Sequence, residues 1–291
     1  MEQAKILSPA KINLHLRVGP LAADGFHPLL SWMCTVGLYD TMEMRPTHER
    51  GIKLACDRAD VPVDATNLIV RAGQALDGQN GAEVTLQKRI PLGGGLGGGS
   101  SNAAFALRGF DEIWNLKSPG SKLAEIAARL GSDIVFFLHG PSSVCAGRGE
   151  RVTPIDRPTP KYAVLIFPRL SMSTPAVYRK FDEMKLGSSD AIGHQPDWNA
   201  WVKLPALELL KVLVNDLELP AFSLQPELSE LKRRIERKIG RIVRMSGSGS
   251  TLFTLTDHRQ EAETAIAQIR GDAIQARWFD LAPKSTETVR G

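Results

Sequence analysis

The feature that most constrains the fold is a glycine-rich segment at residues 93–99, where six of seven positions are glycine. Glycine has no Cβ, so this backbone can adopt positive φ angles and approach a ligand closely. A strand-like run, Ala82 to Leu86, precedes it, and helix-forming residues from Ala103 to Trp114 follow, with Ser-Ser-Asn at 100–102 expected to cap the helix. A flexible linker is disfavoured, because linkers rarely join a strand directly to a helix. Bare N–H groups that open onto a helix N-terminus predict an anion site, and the expected anion is a nucleotide phosphate.

The glycine spacing argues against two well-known kinds of phosphate loop. A Walker A loop ends in Gly-Lys-Ser/Thr, and no lysine follows these glycines. Gly93, Gly95 and Gly98 match the G-x-G-x-x-G of dinucleotide sites, but six glycines match many patterns by chance. The acidic residue that such a site needs about 20 residues further on would be Asp111 or Glu112, inside the expected helix. A dinucleotide oxidoreductase is therefore a distant alternative.

Composition and charge exclude several classes of protein. With 291 residues, 43% of them hydrophobic, the chain can form one large or two ordinary globular domains. A formal net charge of +4 suits an anionic metabolite, and no basic run is dense enough to favour nucleic acid. The three cysteines lack metal or disulfide spacing, as is typical of a reducing compartment. Without a signal peptide or a membrane-spanning apolar run, the sequence predicts a cytoplasmic protein with no membrane contact.

Strand and helix signals mix without regular βαβ repetition, so the expected class is α+β. Apolar and polar residues alternate strictly from Lys11 to Val18, which predicts a half-buried strand with Lys11 and Asn13 on its polar face. The proline-rich segment from Asp156 to Pro160 is the expected junction between domains at residues 1–157 and 158–291. No oligomeric state follows from these patterns.

Several motifs, taken in order along nearly the whole chain, resemble those of the GHMP kinases. They are Pro9 to Leu14, Asp24 to His27, the glycine loop from Pro91 to Ala104, Gly131 to Asp133, Thr174 to Tyr178, Asn215 to Glu218 and Met245 to Ser250. The resemblance implies an ATP-binding, ribosomal-protein-S5-like N-terminal domain and a ferredoxin-like C-terminal domain, whose last strand can pack back on the first domain.

The sequences of the glycine loop and the Gly25-Phe26-His27 turn resemble those of one branch of this family. The acceptor of that branch carries a cytidine diphosphate. That resemblance implies ATP-dependent phosphorylation of the 2-hydroxyl of 4-diphosphocytidyl-2-C-methyl-D-erythritol, a step of the non-mevalonate isoprenoid pathway. Two alternatives stay open. One is a GHMP kinase that acts on homoserine, mevalonate or a sugar, although those acceptors have no base to stack on Tyr178. The other is an S5-like RNA-binding protein without catalysis.

The resemblance also implies the catalytic residues. On the residues alone, Lys11 is an exposed strand lysine and Asp133 a carboxylate at a helix start. By resemblance, Lys11 orients the acceptor hydroxyl and stabilises charge near the transferring phosphoryl group, and Asp133 accepts the proton of the alcohol. A carboxylate beside a lysine has a lowered pKa and is a weak base, so an orienting role with late proton transfer stays open for Asp133.

ATP is expected on the glycine loop. The residues implied for it are Pro91, Leu92, Gly93, Gly94, Gly95, Leu96, Gly97, Gly98, Gly99, Ser100 and Ser101, and Asn67, Leu68 and Lys88 fall where relatives hold adenine. Mg²⁺ is expected with ATP, because the γ-phosphate charge needs neutralising. Ser101 matches a metal-contacting serine of relatives. No dense acidic cage is visible, so the ion is expected to arrive bound to phosphates and water.

The cytidine diphosphate alcohol is expected to contact residues from both domains. By resemblance, His27 bonds the base edge, Phe26 stacks on one face of the cytosine and Tyr178 on the other. Relatives usually carry tyrosine in place of Phe26; stacking needs only the ring, but a hydroxyl contact is lost. The further substrate residues implied are Asn13, Thr174, Gly247 and Ser248, the last two in a second glycine-rich loop expected to pack against the first.

Overall fold

The computed structural model describes residues 3–270, 274–283 and 289–290. The first part of the chain forms β1 (Ala4–Val18), β2 (Leu29–Thr47), β3 (Gly51–Cys56), α1 (Leu68–Leu76), β4 (Gly81–Gln87), α2 (Gly98–Ile113), α3 (Gly120–Leu130), α4 (Ser132–His139), β5 (Ser142–Gly147) and β6 (Arg151–Pro154). The second part forms β7 (Tyr162–Phe167), α5 (Thr174–Glu183), α6 (Ser189–Gly193), α7 (Trp198–Trp201), α8 (Ala206–Val212), α9 (Glu218–Leu224), α10 (Pro226–Ile239), β8 (Arg244–Met245), β9 (Leu252–Thr256), α11 (Arg259–Ile269), β10 (Gln275–Asp280) and β11 (Val289–Arg290). None of the described helices is long and apolar enough to cross a membrane.

The described strands form two sheets. The first has the order β11-β1-β2-β4-β3, with β5 beside β2 and β6 beside β5, and its β3–β4 pair is parallel. The second is antiparallel with the order β10-β7-β9-β8, the arrangement of a ferredoxin-like β-α-β-β-α-β unit. This confirms the α+β class and the ferredoxin-like second half. The boundary expected at residues 157/158 falls in the connection between β6 and β7, and β11 pairs with β1 of the first sheet.

Strand β1 changes the face that it presents to each half of the molecule. Ile6 packs in a core with helices α1 to α4, whereas Ile12 and Leu14 pack against β7, β9 and α8 of the second half. We call this second cluster the interdomain core. The change coincides with a shift of the β1–β2 register between Pro9 and Ala10. Because neighbouring residues of a strand point to opposite faces, Lys11 and Asn13 point away from the interdomain core that contains Ile12 and Leu14.

The prediction that residues 11–18 form a strand is confirmed, but the prediction that the strand is half-buried was wrong. Lys11, Asn13 and His15 are only 4%, 3% and 2% exposed. The glycine loop and the segments around Val214 and Ser246 cover this polar face, and each forms a hydrogen bond to the β1 backbone. Strict alternation distinguishes two faces, but a polar face covered by loops has the same sequence pattern as one that faces water.

Candidate active site

A cleft of about 390 Å³ lies where the two glycine-rich segments meet α4. Its lining includes many of the residues predicted from the sequence: Lys11, Asn13, Leu68, Pro91 to Ser100, Asp133, Thr174, Tyr178, Gly247 and Ser248. Four apolar residues that the sequence did not indicate also line it: Leu16, Leu29, Met33 and Leu217. They had no distinguishing signal, because apolar residues in strands and helices are ordinarily core.

The glycine loop needs its glycines for packing as well as for access to a ligand. Gly93, Gly95 and Gly97 have φ angles of 66°, 73° and 66°, which residues with a Cβ rarely adopt. A Cβ on Gly95 would lie 2.2 Å from the carbonyl oxygen of Ser246, and one on Gly97 would lie 3.0 Å from Cγ of Lys11. The Lys11 N–H donates to the Leu96 carbonyl at 2.9 Å. The loop is thus fixed against β1.

Helix α2 begins earlier than predicted, and the expected Ser-Ser-Asn cap was wrong. Its N-cap is Gly97, which makes no side-chain capping bond. The left-handed conformation of Gly97 turns the chain directly into the helix, so Ser100 and Ser101 lie in its first turn. The free N–H groups of that turn therefore adjoin the cleft without a side-chain cap.

The second glycine-rich loop packs directly on the first, as expected. Ser246 Oγ donates to the Gly95 carbonyl at 2.9 Å, and the Asn13 N–H donates to Ser246 Oγ at 3.2 Å. Asn215 Nδ2 donates to the carbonyls of Met245 and Gly247, each at 2.8 Å. Asn215 was noticed only as part of a matching segment; here it holds the loop that supplies Gly247 and Ser248 to the cleft.

Lys11 and Asp133 meet at this cleft from different elements. Lys11 Nζ is 3.5 Å from Asp133 Oδ2 and donates to Asn13 Oδ1 at 2.6 Å. The Lys11 side chain is 5% exposed and that of Asp133 36%, so the carboxylate is the accessible partner. Asp133 lies in the first turn of α4, where the helix dipole favours a negative charge. A buried cation beside an accessible carboxylate can stabilise developing negative charge and orient a hydroxyl.

Further hydrogen bonds fix the orientation of Asn13. Its Nδ2 donates to Ser31 Oγ at 2.9 Å, and that hydroxyl donates to the His15 carbonyl at 2.8 Å. Because the amide nitrogen is engaged on β2, the amide oxygen faces Lys11. His15 itself is buried and packs edge-to-face against Trp198 and Trp201. Burial, with the charges of Arg17 and Arg244, lowers its pKa to about 3.

Tyr178 and Thr174 bring helix α5 to the cleft. Thr174 and Ser248 share a hydrogen bond between their hydroxyls at 2.7 Å. Burial, with the nearby Asp133 charge, raises the pKa of Tyr178 to about 12, so its hydroxyl stays protonated at neutral pH. His27 lies beside Tyr178 with ring centroids 5.2 Å apart, although it is not in the cleft lining. Its Nδ1 donates to the Gly19 carbonyl at 2.9 Å, and its Nε2 lies 3.3 Å from Asp182.

Phe26 is also outside the lining of this cleft. The residue is 52% exposed, and the guanidinium of Arg148 lies 4.2 Å from the ring centroid. Arg148 also pairs with Asp24, which ties the turn of Phe26 to the β5–β6 connection. One face of the Phe26 ring is therefore covered by a cation.

Three residues predicted on the nucleotide side are not in the cleft lining: Asn67, Lys88 and Ser101. Asn67 is the N-cap of α1, and its Nδ2 donates to the Pro62 carbonyl. Lys88 is 5% exposed and forms a buried ion pair with Asp40. The Lys88 ammonium thus does not line this cleft, because a buried carboxylate holds it beneath the glycine loop.

The residues fit a magnesium ion carried by a nucleotide. Within the described residues, no three His, Cys, Asp or Glu side chains lie close enough to hold a metal ion. Ser101 Oγ, however, is buried without a hydrogen-bond partner in that part of the chain, and Asp133 adds one accessible carboxylate. Oxygen donors suit Mg²⁺, which usually keeps several waters and binds substrate phosphates. This set is too sparse to hold the ion without those phosphates.

Comparison with known families finds two GHMP kinase domains in this chain. The model for the N-terminal domain of GHMP kinases matches residues 65–141, which include the glycine loop and Asp133. The model for their C-terminal domain matches residues 203–274, which include the second glycine-rich loop. Both loops and the carboxylate of the cleft therefore lie inside the matched regions.

Individual relatives match almost the full length. The 4-diphosphocytidyl-2-C-methyl-D-erythritol kinase of Microcystis aeruginosa (strain NIES-843) is 37% identical over 294 residues, with 93% of each chain covered. That of Geobacillus sp. (strain WCH70) is 34% identical over 275 residues, covering 91% of this chain and 92% of the relative. A crystal structure of 4-(cytidine 5'-diphospho)-2C-methyl-D-erythritol kinase superposes with a TM-score of 0.78 at 34% identity, covering 96% of this chain and 100% of that one. The chain therefore belongs to the GHMP kinase family, and within it to the 4-diphosphocytidyl-2-C-methyl-D-erythritol kinases.

Proposed function

We propose that the chain transfers the γ-phosphoryl group of ATP to the 2-hydroxyl of 4-diphosphocytidyl-2-C-methyl-D-erythritol, giving the 2-phosphate and ADP. The observation that carries the proposal is the placement of Lys11 and Asp133, 3.5 Å apart, in a cleft lined by the glycine loop. The names of the relatives supply the acceptor. The proposal includes a cytoplasmic setting and a small-molecule substrate, with no nucleic acid.

On the nucleotide side, the glycine loop and the start of α2 hold the phosphates. Free N–H groups at a helix start and a bare loop backbone bind anions together. Gly97 to Ser100 line the cleft at this point. Mg²⁺, when bound with ATP, neutralises charge on the phosphates, and Ser101 is the residue that would hold it. Leu68 offers an apolar contact beside the loop, where the adenine is expected.

On the acceptor side, Asp133 hydrogen-bonds the attacking hydroxyl. As the new oxygen–phosphorus bond forms, the hydroxyl proton passes to the Asp133 carboxylate, and ADP leaves with the electrons of the broken bond. Lys11 stabilises the charge on the transferring group, and its bond to Asn13 fixes the ammonium. The buried cation thus needs no rearrangement during the transfer.

The cytidine end of the substrate is proposed to bind near α5. Tyr178 supplies a ring in the cleft, and His27 lies against that ring. Phe26 can offer only the ring face that Arg148 leaves open. Thr174 and Ser248, joined by their shared hydrogen bond, offer hydroxyls to the substrate diphosphate. Stacking on aromatic rings is worth about 1–3 kcal/mol per base, so a cytosine would add selectivity that homoserine or mevalonate lacks.

The test is a coupled assay of ADP release with the cytidine diphosphate alcohol, homoserine and mevalonate as separate acceptors. We expect turnover with the first alone, and competitive inhibition by CDP and CMP against that acceptor. Turnover of homoserine or mevalonate without inhibition by cytidine phosphates would assign another GHMP activity. RNA affinity that falls steeply with salt, in a chain without ATP turnover, would assign an RNA-binding function instead.

A further inference from the structure

A buried ion pair lies directly beneath the glycine loop and outside the cleft. Asp40 on β2 and Lys88 just after β4 have side chains that are 0% and 2% exposed. Neither residue lines the cleft. The pair therefore cannot touch a ligand in that cleft, and any effect that it has on catalysis passes through other residues.

One carboxylate binds both ends of the glycine loop. Asp40 Oδ1 accepts from the backbone N–H groups of Arg89 at 2.7 Å and Ile90 at 2.9 Å, where the loop begins. Asp40 Oδ2 accepts from Lys88 Nζ and, at 3.0 Å, from Nδ2 of Asn102, which lies in α2 where the loop ends. Lys88 Nζ also donates to Asn102 Oδ1 at 3.2 Å.

The hydrogen-bond network of Asp40, Lys88 and Asn102 is bonded to β1 and packs against the start of α2. Asn102 Nδ2 donates to Ser8 Oγ on β1 at 2.7 Å, and Ser8 is the strand partner of Asp40. A Cβ on Gly98 would lie 3.1 Å from Lys88 Nζ and 3.0 Å from Cγ2 of Ile90. The first residue of α2 thus packs on the ion pair itself, and both ends of the loop have one common support.

Stability alone does not explain this pair. Two charges lose their hydration when buried, and well-packed apolar residues often replace such pairs without loss of stability. Within the described residues, the Asp40 carboxylate accepts four hydrogen bonds, and all of them come from residues at the two ends of the loop. We propose that Asp40 is a positioning residue, which holds the two ends of the loop at a fixed separation and so preorganises its N–H groups for the triphosphate. This inference rests on the proposed binding of ATP by the loop.

Two double variants separate positioning from folding. Asp40→Leu with Lys88→Met removes both charges and the acceptor for the Arg89 and Ile90 N–H groups. Asp40→Asn with Lys88→Met removes the charges but keeps an oxygen that can accept those bonds. Its amide nitrogen can also donate to Asn102 Oδ1, which Lys88 no longer occupies, so both ends of the loop stay joined. We expect the leucine variant to lose about 10- to 100-fold in kcat and in affinity for a non-hydrolysable ATP analogue. The asparagine variant should stay close to wild type, and KM for the cytidine alcohol should be unchanged in both.

A control and a second variant complete the experiment. Asp257 accepts from the Ala206 N–H at the start of α8, far along the chain from the loop, so Asp257→Leu should lower Tm without changing ATP affinity. If the leucine double variant folds and keeps wild-type ATP affinity and kcat, the positioning role is overturned. If it does not fold, Asn102→Ala decides: it leaves the ion pair intact, and an unchanged KM for ATP would likewise overturn the role. Failure of the wild-type protein to bind the ATP analogue would instead refute the proposed function.

Discussion

The ammonium of Lys11, on the first strand, lies 3.5 Å from the carboxylate of Asp133, in the first turn of the fourth helix. A hydroxyl that bonds Asp133 is therefore within close electrostatic reach of the lysine. Asn13 holds the same ammonium from the other side at 2.6 Å. In the proposed mechanism, catalysis depends on this separation, which the fold sets before any substrate arrives.

Asp133→Asn should abolish most turnover. The amide keeps the shape of the side chain but cannot take the hydroxyl proton, so we expect a loss in kcat of about 10²–10⁴-fold. Affinity for an ATP analogue, measured by calorimetry, should stay near that of the wild type, because the glycine loop is untouched. Activity close to wild type would show that Asp133 is not the proton acceptor.

Lys11→Ala should lower kcat by about 10²–10³-fold, as expected when one preorganised electrostatic donor is removed. Lys5→Ala is the matched control, since Lys5 lies on the same strand but has an exposed ion pair with Glu43. Steady-state kinetics with both substrates provide the measurement. An effect confined to KM would mean that Lys11 only binds substrate.

Gly95→Ala should disrupt the contact between the two glycine-rich loops. A Cβ there would lie 2.2 Å from the Ser246 carbonyl oxygen, and φ is +73°, which costs about 1–2 kcal/mol for a residue with a Cβ. We expect lower Tm and weaker binding of an ATP analogue. Gly78→Ala, at an exposed site with only ordinary contact to Gln74, should change neither. Equal behaviour of the two variants would mean that the loop tolerates displacement.

The burial of His15 should contribute to acid sensitivity. Burial, then the charges of Arg17 and Arg244, lowers the pKa from 6.5 to about 3. Below pH 6.5 the unfolded chain takes up a proton at this residue and the folded chain does not, so the free energy of unfolding falls as pH falls towards 3. The contribution is at most about 1.4 kcal/mol per pH unit.

The variant His15→Gln removes this titration, and its amide oxygen can still accept from the Val214 N–H. Urea unfolding at pH 7, 6, 5 and 4 should give a shallower loss of stability for the variant than for the wild type. Parallel profiles, which differ by the same free energy of unfolding at every pH, would contradict the prediction: His15 would then not titrate between the two states, and the substitution would change only packing against Trp198 and Trp201.

Motifs predicted the residues of the cleft better than their surroundings. The glycine loop was identified from its own residues, because six glycines between a strand and a helix are unusual in a structural segment. Lys11 and Asp133 were identified only by the family resemblance, since on the residues alone they are an exposed lysine and a helix-start carboxylate. The burial of Lys11 was not predicted, since a strand pattern does not say what covers a face. Lys88 was expected near adenine, and the structure holds it in an ion pair with Asp40 instead. Asp40 had one faint signal, a carboxylate within an apolar strand, and nothing in the sequence named its partners.

Local sequence patterns could not predict the order of the strands in the sheets either. Alternation indicated strands, but the β10-β7-β9-β8 order came only from the resemblance. The shift of register between Pro9 and Ala10 has no sequence signature that periodicity detects.

The interdomain core couples the unfolding of the two halves. Ile12 and Leu14 pack in one core with Leu165 and Phe253 of the other sheet. Either half produced alone would therefore expose a large apolar surface. We expect calorimetry to record one melting transition for the whole chain, rather than two. The two family domains are therefore separate units of sequence and fold, but we expect them to be a single unit of unfolding.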